Sequence, residues 1–132
     1  MKKIIMIFIS IILIMGLTGC EDKGMSYNQI SMEEAIKIME EETDYIILDV
    51  RTPEEFAEKH IPNAMNIPNE TIGSEEIAEL PDKNQLILVY CRSGNRSKQA
   101  SNKLAALGYT NIYEFGGIND WTGETVSEET EK

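Results

Sequence analysis

Residues 86–108 contain the feature that most constrains the fold: an apolar run, a polar loop and a helical segment follow one another directly. The run 86–90 is short, apolar and rich in branched side chains, which predicts a buried strand of a parallel sheet. Residues 96–107 repeat apolar side chains at helical spacing and stop before Gly108, a residue typical of helix ends. A strand that leads through a loop into a helix is the repeating unit of α/β folds. We therefore predict an α/β domain.

Two capping boxes mark further helix starts along the chain. Ser31 is followed three positions later by Glu34, and Thr52 by Glu55, with Pro53 at the first helical position. Between and after these helices, short apolar or β-branched runs predict additional strands. The sequence predicts strands at residues 45–48, 64–67 and 111–115, a helix at 74–80, and a last helical turn at 118–121.

The first 19 residues have the layout of a secretory signal peptide, with two lysines before an apolar run. That run is shorter than the ~20 residues of a membrane-spanning helix. Residues 17–20, Leu-Thr-Gly-Cys, resemble a bacterial lipobox, and this resemblance implies cleavage before Cys20, its acylation with palmitate-type chains, and a lipoprotein on the outer face of the cell membrane. The alternative is an ordinary signal peptide followed by a structural cysteine.

The whole chain divides into four parts by composition. We predict a signal peptide at residues 1–19, a lipidated cysteine and tether at 20–26, one domain at 27–122, and an acidic disordered tail at 123–132. Removal of the signal peptide leaves 10 basic and 23 acidic residues, a formal charge of −13. Nucleic acid repels a chain with this negative charge, so we exclude nucleic acid as a partner.

Cys91 lies where the predicted strand ends and the predicted helix begins. Open α/β sheets bind ligands at the carboxyl ends of their strands, and a helix N-terminus offers unpaired N–H groups and a positive dipole end. Gly94 lets the loop curl so that its N–H groups converge on an anion. Arg92 and Arg96 add positive charge, although either can instead pair with a surface acid. These influences favour the thiolate, so Cys91 is the predicted nucleophile.

The position of the second arginine separates two chemistries. A cysteine loop that attacks phosphorus has five residues between cysteine and arginine, which would place arginine at position 97. Here serine stands at position 97 and arginine at position 96. The shorter loop makes a narrower cradle, which fits a terminal sulfur better than a phosphate tetrahedron. A phosphatase or arsenate reductase is therefore the weaker alternative.

Three ordered motifs resemble those of single-domain rhodanese-like sulfurtransferases. The first is the loop at residues 91–97, Cys-Arg-Ser-Gly-Asn-Arg-Ser. The second is Leu-Asp-Val-Arg-Thr-Pro-Glu-Glu-Phe at residues 48–56, continued by His-Ile-Pro-Asn-Ala at 60–64 and Asn-Ile-Pro at 66–68. The third is Gly-Gly-Ile at residues 116–118 followed by Trp121.

The resemblance implies a rhodanese-like domain with a central, mainly parallel five-stranded sheet flanked by helices. It implies that the Cys91 thiolate takes sulfane sulfur from a donor such as thiosulfate and passes it from a persulfide to a thiol or cyanide-like acceptor. No metal or organic cofactor is expected. The outer sulfur would be held by backbone N–H groups of the residues that follow the cysteine: Arg92, Ser93, Gly94, Asn95 and Arg96.

Several roles stay open at this point. Thiosulfate-using members carry lysine where Ser93 stands, so the donor is not fixed, and a non-catalytic module that binds or senses persulfide is the alternative function. We interpret Asp49, Arg51 and His60 as structural rather than catalytic. A thiol exposed outside the cell oxidises readily, which suggests a thiol-reducing partner protein.

Overall fold

The computed structural model describes residues 27–131. The predicted signal peptide, the lipidated Cys20 and the tether up to residue 26 lie outside the described residues. Within 27–131, no helix is long and apolar enough to cross a membrane.

The centre of the domain is a five-stranded sheet whose strand pairs are all parallel. In chain order the strands are β1 (Asn28–Gln29), β2 (Ile46–Asp49), β3 (Met65–Asn66), β4 (Ile87–Cys91) and β5 (Ile112–Gly117). Their order across the sheet is β1-β5-β4-β2-β3. The predicted α/β fold with a central parallel five-stranded sheet is confirmed.

In the described part of the chain, three helices of six or more residues accompany the sheet: α1 (Met32–Glu41), α2 (Pro53–Glu58) and α3 (Asn95–Ala106). The predicted last turn is a 3₁₀ helix, Ile118–Asp120. α3 begins directly after the cysteine loop, so the strand–loop–helix unit predicted from residues 86–108 is present.

Both predicted capping boxes are formed. The Glu34 N–H donates to Ser31 Oγ at 3.1 Å, and the Ser31 N–H donates to Glu34 Oε1 at 2.9 Å. The Glu55 N–H donates to Thr52 Oγ1 at 3.2 Å, and the Thr52 N–H donates to Glu55 Oε1 at 3.1 Å. Each box satisfies N–H groups that the first helical turn would otherwise leave unpaired, and a cap contributes about 1 kcal/mol.

β4 lies in the middle of the sheet, and all five of its residues are buried. Its side chains alternate between two apolar clusters because successive residues of a strand point to opposite faces. Cys91 belongs to the cluster that contains Leu104 of α3, and Tyr90 belongs to the one that contains Ala35 of α1. The helices on the two faces thus bury both sides of the strand that ends at the cysteine.

The predicted helix at residues 74–80 is absent; this part of the chain forms bends and turns. A single 3₁₀ turn, Asn69–Thr71, stands just before it. Ile72 and Leu80 at the two ends are buried, 3% and 1% exposed, and fix the path of the segment. The prediction fails because a helix this short cannot offset the cost of nucleation unless packing supports it.

The tail also differs from the predicted disordered segment. Val126 forms an antiparallel bridge with His60, with N–H donation to carbonyl oxygen at 2.9 and 2.8 Å. The Trp121 Nε1–H donates to the Glu124 carbonyl at 2.8 Å, and Glu128–Glu131 forms a short helix. The acidic, polar composition of the tail suggested disorder. The pairing of Val126 with the backbone of His60 joins residues that are far apart in the sequence, so composition cannot predict it.

Candidate active site

Cys91 is the last residue of β4, and 1% of its surface is exposed. Its Sγ accepts a hydrogen bond from the Gly94 N–H at 3.0 Å. Gly94 has φ +114°, a left-handed conformation that favours glycine, and it is the N-cap of α3. The glycine thus turns the backbone so that an amide hydrogen points at the sulfur.

Besides the Gly94 N–H, the N-terminus of α3 offers further backbone donors near the sulfur. Among the described residues no side chain caps the N-terminus of α3, so its first N–H groups stay available to an anion. The side chains of Arg92, Ser93 and Asn95 are exposed. Of the predicted cradle residues, Gly94 is the one whose N–H contacts the sulfur, and the anion-binding role of Arg92, Ser93, Asn95 and Arg96 stays a prediction.

The end of β5 supports this loop from behind. A Cβ atom on Gly117 would lie 2.0 Å from the Arg92 carbonyl oxygen and 2.6 Å from the Ser93 nitrogen. The Asn119 N–H also donates to the Arg92 carbonyl at 3.2 Å. Gly117, the second glycine of the carboxyl-terminal motif, thus leaves room for the backbone of the cysteine loop.

Arg96 does not stand free beside the sulfur; it pairs with Glu55 of α2. Its Nη1 and Nη2 donate to Glu55 Oε1 and Oε2 at 2.7 and 3.1 Å, a two-point contact. Pairing with Glu55 raises the pKa of Arg96, and Cys91 also contributes to that increase. The same contact, with hydrogen bonds from Thr52, lowers the pKa of Glu55 to about 2. The amino-terminal motif and the cysteine loop therefore meet at this ion pair.

This ion pair predicts a loss of stability in acid. The folded-state pKa of Glu55 is about 2, below its ordinary value of 4.5. The ion pair therefore adds to the free energy of unfolding above pH 4.5, and this addition is lost as the pH falls towards 2. We expect the addition to be about 1 kcal/mol, because solvent screens a partly exposed pair. Urea unfolding of Glu55→Gln should show a smaller acid-induced decrease between about pH 6 and about pH 3 than the parent.

Glutamine at position 55 preserves the capping box, which accepts Glu or Gln. Glu54→Gln is the matched control, since Glu54 is an exposed acid in the same helical turn. An equal flattening of the pH dependence by Glu54→Gln would contradict a specific role of the Glu55–Arg96 pair.

Asp49, Arg51 and His60 lie in a separate network at the carboxyl end of β2. Arg51 Nη2 donates to Asp49 Oδ2 and to the Lys59 carbonyl, both at 2.6 Å. His60 is fully buried, with Nδ1 2.7 Å from the Phe56 carbonyl and its ring stacked on the Phe56 ring at 3.7 Å. These contacts join the strand end to the turn that follows α2.

A groove of about 210 Å³ runs beside the cysteine loop. Lys59, Arg92 and Asn119 are among the residues that line it, together with Arg51, which is already paired with Asp49. Lys59 and Arg92 are exposed and give this groove two cationic side chains. The acids Glu55, which is paired with Arg96, and Glu58, which is exposed, line the same groove and offset part of this charge.

Glu114 is a site residue that the sequence did not indicate. It lies on β5, 3% of its surface is exposed, and its Oε2 is 2.5 Å from Ser97 Oγ and 2.9 Å from the Gly116 nitrogen. Ser97 Oγ is in turn 3.5 Å from Cys91 Sγ. The available signal was a lone acidic residue within an otherwise apolar and aromatic strand, because buried charges require partners.

Comparison with known proteins gives consistent matches. A family model described as rhodanese-like domain matches residues 31–124. The chain is 38% identical over 73 residues to thiosulfate sulfurtransferase PspE of Escherichia coli (strain K12), covering 55% of this chain and 70% of that protein. It is 31% identical over 109 residues to thiosulfate sulfurtransferase GlpE of Coxiella burnetii (strain RSA 331), covering 82% of this chain and 99% of that protein.

A solved structure agrees with these sequence matches. The structure titled "rhodanese with anions from E. coli" superposes with a TM-score of 0.57 at 38% identity. The superposition covers 63% of this chain and 98% of that one. Sequence and fold comparisons thus point to the same family.

Proposed function

The chain belongs to the rhodanese-like family of sulfurtransferases, and we propose that it moves sulfane sulfur from a thiosulfate-like donor to a thiol or cyanide-like acceptor. The observation that carries this proposal is the position of Cys91 Sγ, which accepts the Gly94 N–H at 3.0 Å at the N-terminus of α3. A sulfur held in this way can carry a negative charge or a terminal persulfide sulfur.

The proposed reaction has two displacements. In the first, the Cys91 thiolate attacks the outer sulfur of the donor; a sulfur–sulfur bond forms, the bond within the donor breaks, and sulfite leaves with the electron pair. In the second, the acceptor attacks the outer sulfur of the persulfide and releases the thiolate. Backbone N–H groups from Arg92 to Arg96 stabilise the charge on the outer sulfur at each stage.

The donor is proposed to be a small anion. Ser93 stands where thiosulfate-using members carry lysine, and it is exposed. Lys59 and Arg92, which line the adjacent groove, could supply the missing positive charge. Arg96 contributes less, because Glu55 neutralises it.

Intact mass spectrometry after incubation with thiosulfate tests the function. We expect a mass increase of one sulfur atom, located on the peptide that contains Cys91 and removed by cyanide with release of thiocyanate. No mass increase with thiosulfate or other sulfane donors would contradict the proposal. A stable adduct that no acceptor discharges would support the alternative, a module that binds or senses persulfide.

We further propose that the mature chain is a lipoprotein anchored through Cys20 on the outer face of the cell membrane. The support is the lipobox-like Leu-Thr-Gly-Cys at residues 17–20 after an apolar segment. Multiple acyl chains anchor a domain stably, because each buried CH₂ contributes about 0.8 kcal/mol. Intact mass spectrometry of the protein extracted from the membrane fraction of an expressing bacterium should show a chain that begins at Cys20 and carries acyl chains. A chain that begins at Cys20 without added acyl mass would argue against lipidation.

A further inference from the structure

A continuous chain of three polar groups lies behind the sulfur. Cys91 Sγ contacts Ser97 Oγ at 3.5 Å, and Ser97 Oγ contacts Glu114 Oε2 at 2.5 Å. The three residues come from β4, α3 and β5, and they are 1%, 0% and 3% exposed. The carboxylate is therefore connected to the sulfur through one hydroxyl group that is shielded from water.

The hydroxyl of Ser97 has a single hydrogen, and geometry determines its direction. Three acceptors are near Ser97 Oγ: Glu114 Oε2 at 2.5 Å, the Gly94 carbonyl at 3.0 Å and the Gly116 carbonyl at 3.4 Å. A carboxylate at the shortest distance makes the strongest of these bonds. Ser97 therefore donates to Glu114 and uses a lone pair to accept from the Cys91 thiol.

We propose that Glu114 takes up the proton of the Cys91 thiol through Ser97. The thiol proton moves to Ser97 Oγ while the Ser97 hydroxyl proton moves to Glu114 Oε2. The products are a Cys91 thiolate, an intact serine hydroxyl and a neutral carboxylic acid, so protons and charge balance. This proposal rests on the proposed function, because it supplies the thiolate that the first displacement needs.

The surroundings favour this transfer. A thiolate and a carboxylate buried this close would repel each other, whereas the relay keeps one negative charge and moves it to the sulfur. At the sulfur the charge meets the Gly94 N–H and the N-terminus of α3. Every hydrogen bond in the chain persists with its direction reversed: the acid donates to Ser97, and Ser97 donates to the thiolate.

Other ionisable groups face the relay from the surrounding elements. Tyr27, which precedes β1, interacts with Glu114; burial and then the Glu114 charge raise the pKa of this tyrosine, so it stays neutral. Arg96 on α3 interacts with Cys91 but is paired with Glu55 of α2. Glu114 is a positioning residue, since it acts on the sulfur only through Ser97.

The rate of Cys91 alkylation by iodoacetamide as a function of pH tests the relay in the full chain. Site-resolved mass spectrometry separates Cys91 from Cys20. This readout requires no sulfur transfer, so it can fail independently of the proposed function. Near neutral pH, Glu114→Gln should slow alkylation by roughly 10²-fold, the lower end of the effect of a positioned proton acceptor. At about pH 10 the difference should disappear, because a thiol ionises there without help.

Two variants complete the experiment. Ser97→Ala should slow alkylation as Glu114→Gln does, and the double variant should be no slower than either, because the two residues act as one unit. Ser101→Ala is the matched control: Ser101 is fully buried on the same helix, and its hydroxyl is the one buried side-chain oxygen without a hydrogen-bond partner among the described residues. In the Ser101→Ala variant, Cys91 should be alkylated at the parental rate.

Glu114→Gln has two outcomes that would overturn the relay. Unchanged or faster alkylation near neutral pH would mean that the carboxylate only repels the thiolate. An equal slowing at both pH values would mean that the substitution displaces the loop. Circular dichroism of each variant identifies any loss of fold, and Ser97→Ala gives an independent test if Glu114→Gln does not fold.

Discussion

Cys91→Ala is expected to reduce sulfur transfer from thiosulfate to cyanide to the uncatalysed background while the domain stays folded. A complete loss is expected because, in the proposed reaction, this sulfur both attacks the donor and carries the transferred atom, and no second cysteine lies within residues 27–131. The thiol packs with the apolar cluster beneath α3, so its removal should reduce the free energy of unfolding by only about 1 kcal/mol. Thiocyanate production and thermal unfolding measure the two effects.

Cys91→Ser is the matched control for this prediction. The hydroxyl preserves the size of the side chain and can still accept from the Gly94 N–H, but its oxygen is a weaker nucleophile than a thiolate and cannot form a persulfide. Both variants should be inactive and folded. Turnover equal to that of the parent in either variant would rule out Cys91 as the sulfur carrier.

Gly117→Ala should have the second largest effect, although the residue makes no contact with substrate in the proposed reaction. A Cβ atom there would lie 2.0 Å from the Arg92 carbonyl oxygen, and backbone cannot move aside as a flexible side chain can. This clash can be relieved only if the loop that follows Cys91 shifts. Overpacking of this kind costs about 1–3 kcal/mol, so stability should fall by at least that amount.

The activity of Gly117→Ala should fall more steeply than its stability, because the loop N–H groups must lie close to the sulfur. Thermal unfolding together with the rate of Cys91 persulfide formation measures both. Gly73→Ala is the control: a Cβ atom at Gly73 would meet nothing within 4 Å, and both properties should stay near parental values. Parental persulfide formation by Gly117→Ala would contradict the proposed support of the loop by β5.

Local sequence signals predicted most of the secondary structure. The capping boxes at Ser31 and Thr52 mark α1 and α2 because a cap depends on residues three positions apart. The apolar run before Cys91 predicted β4 because a strand buried on both faces is apolar throughout. Residues 74–80 and the tail were predicted wrongly, because the burial of Leu80 and the pairing of Val126 with His60 depend on distant parts of the chain.

The sequence by itself indicated the family, the loop between β4 and α3, and Cys91 as the proposed nucleophile. These features are encoded within a few consecutive residues, from Cys91 to Ser97, where a strand passes into a helix. Spacing also favoured sulfur over phosphorus chemistry, because arginine stands at position 96 and serine at position 97.

Only the tertiary structure decided what surrounds that loop. Arg96 meets Glu55 across 41 positions of the chain, and Ser97 meets Glu114 across 17. Gly117 fits against Arg92 because β5 pairs directly with β4. Such contacts depend on strand order and register, which bring distant residues together, and no local pattern in the sequence reports them. The pairing of Arg96 with Glu55 and the position of Glu114 behind the thiol were therefore visible only once the sheet was assembled.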